Sequence, residues 1–530
     1  MPFLRAALIA TLAFAAPASA SAAGPLAPGM PDRTFAGDGT LRSSLASGFE
    51  AAATEVLPLA SGRLAVVSSL RTVVRLRPSG VRDPRFGTRG VARVRFYGDG
   101  NDQVAALAED TDGALVAAGT KRRDVLAVRR LLPNGRVDRD FGSGGLVTLE
   151  TGAFLSSVDA AIAPDGTAFV AAVAVPPFSA GAKRLIVLAL DRAGARVAAF
   201  GEGGVATMPL DPSSVPFRGK LARLADGSLR HATASYVSDG GVRTHITGLT
   251  PEGQPDTAVG PGGVRSLGTL LPLGGAMAAS ASGRMVLTSI QTRPRRRDRL
   301  VVVALKRDGA RDSAFGTRGI ARITLPFDAY GAEVALRPNG DAAIAMTRLD
   351  RPLRPVAALV RRGGMLRPRF GTRGFATVGG FPRSHETAVH TAAIDGLDRL
   401  VVGGVTGRFV DDDREDFGRD SVAMTRLRLR KSPLSLPARA TVSGRGVMRV
   451  RVGCRAAGGC RAALTASRGS LRRRTVLRMR AGTQRVLELR LGQAGVRLAS
   501  RHFSMRLSVL VSAAGRLEPL AASVRLRRTA

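Results

Sequence analysis

Apolar residues in this chain come in short runs, broken every few positions by Gly, Asp, Asn or Pro. Between residues 90 and 135, "GVARVRF" alternates apolar with polar, "QVAALAED" follows, a "DTDG" turn leads into "ALVAAGT", and "VLAVRRLL" stops at "PNG". Runs of this length separated by turn residues predict β-strands joined by tight turns. The turns recur in step: "PDG" at 164–166, "ADG" at 225–227 and "PNG" at 338–340 match "TDG" at 111–113.

A second signal keeps the same step. Aligned on its aromatic residue, "DPRFGTRG" at 83–90 returns along the chain, placing Phe35, Phe86, Phe141, Phe200, Val259, Phe315 and Phe370 at separations of 51 to 59 residues. Four strands in each of seven units predict an all-β fold, a seven-bladed β-propeller over residues 31–431. The alternatives are a β-helical solenoid, whose coils are usually much shorter, and two smaller propellers. At the ends, "TFAGDGTLRSSL" has no strand before it and "DSVAMTRLRL" has no motif after it. The last blade is therefore expected to pair strands from both ends of the chain, which leaves no long free edge.

The motif resembles the delta-60 repeat, a bacterial β-propeller repeat with an "LDxxFGxxG" core, over roughly Asp32 to Lys431. The departures are Val259 for the aromatic, Ala36 for the first Gly, and Val197 and Arg367 for the leading Asp. The resemblance implies a secreted or surface propeller without a defined chemistry. Physically, the last Gly of each copy (Gly39, Gly90, Gly145, Gly204, Gly263, Gly319 and Gly374) suits positive φ or a close chain approach. The Phe is large enough to wedge between adjacent blades, and the Asp at 32, 83, 138, 256 and 312 suits an Asx-type turn. A phosphate-cradling loop is the rival reading of these glycines. Such loops open a helix facing the anion, whereas every copy here leads into a strand.

The two ends set the compartment. Arg5, an apolar run from Ala6 to Ala16, Pro17 and the small residues of "ASASAA" have the form of a secretory leader over 1–22, too short to span a bilayer. The protein is thus expected to be secreted, extracellular or surface-associated, with no transmembrane segment. In that oxidising setting Cys454 and Cys460 are expected to form a disulfide, because two thiols without a nearby His fall short of a metal site.

Net charge is +38, and all but five of the 79 basic residues are Arg. More than half of the excess lies after "KSPLSLP": from Lys431 to Ala530, 22 basic residues face only Glu488 and Glu518. Alternation in "VMRVRVGC", "TVLRMRA", "RVLELRL" and "FSMRLSVLVSA" predicts a small β-sandwich over 433–530, apolar on one face and arginine-rich on the other. It resembles immunoglobulin-like modules appended to secreted actinobacterial proteins. Its basic face suits an anionic cell-envelope polymer, nucleic acid or lipid head groups, or is simply a solvated face in an Arg-rich chain.

Little else points to chemistry. "HETAVH" lacks the zinc-protease spacing, because His385 and His390 are five apart and strict alternation puts them on opposite faces of a strand. The acidic run from Asp411 to Asp420 is a calcium candidate, but it lacks the EF-hand pattern and reads rather as a solvated loop balanced by Arg414 and Arg419. With no Trp and three Tyr, stacking on sugars or single-stranded bases is disfavoured, and specific nucleic-acid binding is not expected. The expectation is a monomeric binding or scaffold module, with no catalytic, cofactor or metal residues assigned, taking an unknown ligand at the loop face of the propeller. The alternative is a propeller enzyme, a hydrolase, lyase or quinone-dependent dehydrogenase, with carboxylates converging on the central channel.

Overall fold

The computed structural model describes residues 27–529 apart from 44–51, 97–101, 177–181, 212–213, 238–241, 269–275, 380, 382–384, 409–420, 438, 502 and 514–515. The expected leader and the acidic run at Asp411–Asp420 lie outside the described residues. The remainder forms seven four-stranded antiparallel sheets, the blades of a propeller, and one larger C-terminal sheet. Among the described residues no helix is long and apolar enough to cross a membrane.

The first blade shows the plan: Ala53–Pro58, Leu64–Ser68, Thr72–Leu76 and Val91–Arg93 pair in that order. Its motif lies between the third and fourth strands, so the strand after the motif completes the preceding sheet. Sequence unit and blade are therefore one strand out of phase, and each unit straddles two blades. This offset closes the ring. Thr40–Ser43, the strand after the first motif, pairs antiparallel with Ser421–Arg428, with Leu41 opposite Met424. It becomes the outer strand of a seventh blade otherwise drawn from His385–Ile394, Arg399–Arg408 and Ser421–Arg428.

Between blades the apolar side chains gather into seven cores, and each holds one motif residue. Phe86, for example, lies with Val67 and Val73 of the first blade and Val104, Leu115 and Ala127 of the second. Phe35, Phe141, Phe200, Val259, Phe315 and Phe370 are likewise buried, each between two blades. A backbone bond crosses the same boundary: the Gly87 amide donates to the Asn134 carbonyl at 2.6 Å, in the turn that ends the third strand of the next blade. Ala36, Gly142, Gly201, Gly316 and Gly371 donate in the same way to Ser79, Ala193, Glu252, Gly363 and Pro28. At the fourth boundary, where Val259 replaces Phe, Arg265 Nε donates to the Asp308 carbonyl at 3.1 Å instead.

The last Gly of every motif has φ between 75° and 98°. At Gly90 a Cβ would also lie 2.9 Å from Arg82 Cβ. The leading Asp accepts the amide two residues on, as Asp83 does from Arg85 at 3.3 Å, and it pairs with arginine besides: Arg75 Nε is 3.1 Å from Asp83 Oδ2, and its guanidinium lies 4.6 Å from the centre of the Phe86 ring. Burial alone would raise the Asp83 pKa, but the Arg85 amide and the neighbouring guanidiniums outweigh it and hold the carboxylate below its ordinary range.

C-terminal strands from Leu434 to Arg528 form one continuous eight-stranded sheet, in which Arg439–Val442 pairs parallel with Arg516–Arg528. The sheet surrounds its own core, including Met448, Val450, Leu464, Leu507, Val524 and Leu526. A short helix, Gly492–Ser500, which the alternation did not signal, packs against it. Cys454 and Cys460 are joined by a disulfide. The domain meets the ring where the ring closes: Arg428 pairs with Glu518, and Arg506 Nη2 donates to the Arg33 carbonyl at 2.9 Å.

Replacing the wedge should loosen two blades at once. Phe86→Ala is expected to lower unfolding free energy by about 3–5 kcal/mol in denaturant titration. Gly90→Ala should cost at least about 1 kcal/mol, because alanine resists positive φ.

Candidate functional site

Topology sorts the connections onto two mouths of the ring. Turns from first to second strand, and the motifs, lie at one mouth, where every blade is alike. Loops from second to third strand, and from each outer strand to the next inner strand, lie at the other. There the blades differ: the second-to-third connection runs from two residues (294–295) to twelve (409–420).

The innermost strands, Ala53–Pro58, Gln103–Glu109, Phe154–Ile162, Ser214–Arg223, Ala276–Ala279, Ala329–Leu336 and His385–Ile394, line the channel between the mouths. In six of the seven the register with the second strand slips near the irregular end. A bulge of this kind re-aims the side chains that follow it. It also corrects the reading of "HETAVH": His390 is the extra residue between Val389 and Thr391, so alternation from His385 does not carry through to it. His390 lines the channel. Among the described residues no group of three or more His, Cys, Asp or Glu could hold a metal ion.

Just past the bulges the blades contribute one layer of side chains. Glu55, Asp159, Lys220, Ala276, Glu333 and Thr391 line a channel cavity of 190 Å³, joined by Arg218 and His390. Lys220 Nζ stands 3.0 Å from Asp159 Oδ1 and 3.8 Å from Glu55 Oε1, linking the fourth blade to the third and first. Arg218 Nη2 reaches past the short fifth-blade strand to Glu333 Oε1 of the sixth, at 2.6 Å. Asp159 Oδ2 also accepts the Leu221 amide at 2.6 Å. Two cations thus hold three carboxylates inside the ring.

Burial drives the Glu55 pKa up to about 7; Lys220 opposes the rise and the Asp159 charge adds to it. Lys220 is pushed above its ordinary value, because Asp159 and Glu55 outweigh its desolvation. Desolvation, aided by Arg218, lowers His390. Behind the wall stands His231, buried, with its pKa pushed down to about 4. Its Nδ1 shares a 3.0 Å hydrogen bond with Thr233 Oγ1, while Nε2 has no protein partner. A Cβ on Gly219, in the channel wall, would lie 2.7 Å from that ring, so the glycine makes room for it.

At the irregular mouth Phe154, Val215, Tyr236 and Tyr330 are exposed, on blades three, four and six. The regular mouth holds a wider basin of 770 Å³ ringed by turns. Its charges are taken up by the scaffold, as where Arg337 pairs with Asp341 at 3.1 Å and with Asp398 at 2.5 Å.

Of the residues singled out in the sequence, His390 reaches the channel, and the motif residues and cysteines do not. The motif Phe and Gly residues are spread over seven blade boundaries, and the cysteines belong to the C-terminal sheet. The channel charges were missed, although a register could have found them. Glu55, Asp159, Lys220 and Glu333 each lie seven residues before the Gly of a first-to-second-strand turn (Gly62, Gly166, Gly227 and Gly340).

No family model matches the chain, and no curated protein matches it. Solved structures similar to it include BBS1N in complex with ARL6DN, at 12% identity, with 74% of this chain and 96% of that one covered and a TM-score of 0.41. Another is a variant of Synechocystis apocarotenoid oxygenase, at 13% identity, covering 58% and 68%, TM-score 0.36. A third is the GH43_1 enzyme from Xanthomonas citri complexed with xylotriose, at 11% identity, covering 52% and 88%, TM-score 0.27. At this level the likeness carries no ligand or reaction to this chain.

Two buried groups give the site opposing pH signatures. Folded Glu55 keeps its proton up to about pH 7, whereas the unfolded chain releases it near 4.5, so this group's contribution to stability is lost as pH rises through that window. His231 takes up a proton near 6.5 when unfolded and only near 4 when folded, so its contribution is lost as pH falls between those values. Glu55→Gln removes the first slope and leaves the second. Its melting temperature relative to wild type should rise from pH 5 to pH 7, and a flat difference contradicts the assignment.

Proposed function

We propose that the chain is an extracytoplasmic binding protein of the delta-60 kind, with a ligand-recognising propeller and a basic C-terminal domain that holds it to anionic polymer of the cell envelope. The leader-like N-terminus supports the compartment. The observation that carries the attachment is an arginine surface: Arg472, Arg473, Arg474 and Arg478 on Leu471–Met479, and Arg485 and Arg490 on Gln484–Arg490, are all exposed. The two strands are neighbours, since Arg473 Nε donates to the Arg490 carbonyl at 2.9 Å. Glu488 is the one acid on either strand. Guanidinium forks at this density suit phosphate or carboxylate groups repeated along a polymer.

One observation favours the alternative of a channel enzyme: Glu55, its pKa raised to about 7, is poised for proton transfer. Against it, Lys220 ties Glu55 to Asp159. A screen of chromogenic esters and glycosides decides between them, because hydrolysis that Glu55→Gln abolishes makes the channel a reaction site.

Binding of the full chain to purified poly(glycerol phosphate) tests the attachment. Affinity should fall at least about tenfold between 0.05 and 0.3 M salt as exposed charges are screened. The triple variant Arg472→Glu, Arg474→Glu, Arg478→Glu should lose binding while keeping its melting temperature. Salt-independent binding, or equal binding by the folded variant, contradicts the reading.

A further inference from the structure

The charge pattern of the channel selects among ligands. Both cations there are already paired, Arg218 with Glu333 and Lys220 with Asp159 and Glu55. A simple anion drawn to Arg218 would leave the Glu333 carboxylate, only 16% exposed, without its partner, and a simple cation drawn to Glu333 would strand Arg218. Removing one member of such a pair is costly, because the other keeps its charge without compensation. A molecule bearing both signs escapes this cost, replacing one ion pair with two.

We infer that the irregular mouth of the propeller binds a small zwitterion, an α-amino acid, whose carboxylate takes Arg218 and whose ammonium takes Glu333 as that pair opens to admit it. The inference rests on the propeller being a ligand-recognising head. Arg218 lies nearer the irregular mouth than Lys220 and is the more accessible member of its pair, 38% exposed against 16% for Glu333. Lys220 lies two residues further along the same strand, held between Asp159 and Glu55.

Size points the same way. The cavity, at 190 Å³, is smaller than the about 300–1,000 Å³ usual for drug-sized ligands, which suits a guest of few heavy atoms. Above it the exposed Phe154, Val215, Tyr236 and Tyr330 offer an apolar rim on which the ligand's side chain can rest. His390, neutral at pH 7 through desolvation and the nearby Arg218, adds a hydrogen-bonding group without a third positive charge.

Calorimetric titration of the full chain with each of the twenty free amino acids tests this, together with the N-acetylated and C-amidated forms of any that bind. At least one free amino acid should bind, and blocking either end should weaken it at least tenfold, as should Arg218→Gln or Glu333→Gln separately. Should either variant fail to fold, the blocked ligands on wild-type protein still decide the matter. Absence of binding by every free amino acid at millimolar concentration overturns the inference, and so does equal binding of a blocked form. The polymer-binding assay does not involve the channel, so failure here and failure of the envelope reading are separate results.

Discussion

In six of the seven motifs an aromatic ring lies in a core shared by two blades, and the amide next to it is bonded across the same boundary. Neither interaction belongs to one sheet. A four-stranded blade buries only part of its apolar surface within itself, so the wedge turns seven marginal sheets into one body. At the boundary where Val259 stands for Phe, the turn carbonyl of the next blade is met by Arg265 instead, which shows that what is kept at each boundary is the bond to the neighbouring turn. The offset between unit and blade follows from the same arrangement, since a motif that joins two blades has to lie between a third strand and its own outer strand. Closure by Thr40–Ser43 is that offset seen at the end of the chain.

With the boundaries held by repeated residues, the channel layer is free to differ from blade to blade. Equivalent inner positions carry Glu55, Asp159, Lys220, Glu333 and Thr391, and bulges aim them into the lumen. Their charges nearly cancel, which is the premise of the proposed dipolar ligand. The surplus charge of the molecule is concentrated in the C-terminal domain, where exposed arginines share strands with Leu477, Met479 and Leu489 of that domain's core. In the proposed reading, recognition and attachment are thus assigned to separate parts of the molecule.

Much of this was legible in the sequence because repetition amplifies weak signals. Seven in-step copies of the motif, six with Phe and all with the last Gly, gave the blade count, and the orphan strand signals at both ends gave the closure. The phase of the blades was not legible, since a strand after the motif can pair either way until the neighbouring turn is known. The arginines that pair with the motif Asp and stack on its Phe, such as Arg75 and Arg426, were hidden by abundance in so arginine-rich a chain. Lys220 was the reverse case, a lysine among only five, at a spacing from Gly227 that other blades share. Bulges left no mark in the alternation, so parity counted from His385 does not carry through to His390. In the C-terminal domain the strands were visible, but their order and the helix Gly492–Ser500 depend on long-range pairing that local pattern does not encode.

The central claim is that each blade is tied to the next through the motif, and residue-resolved hydrogen exchange on the native full chain tests it most directly. The amides of Gly87, Gly142, Gly201 and Gly316 lie in surface turns and would exchange rapidly if those turns were merely solvated. If they donate across blade boundaries, they should exchange as slowly as the central strands of the blades they join. Exchange of these four amides at the rate of an open turn would contradict the account.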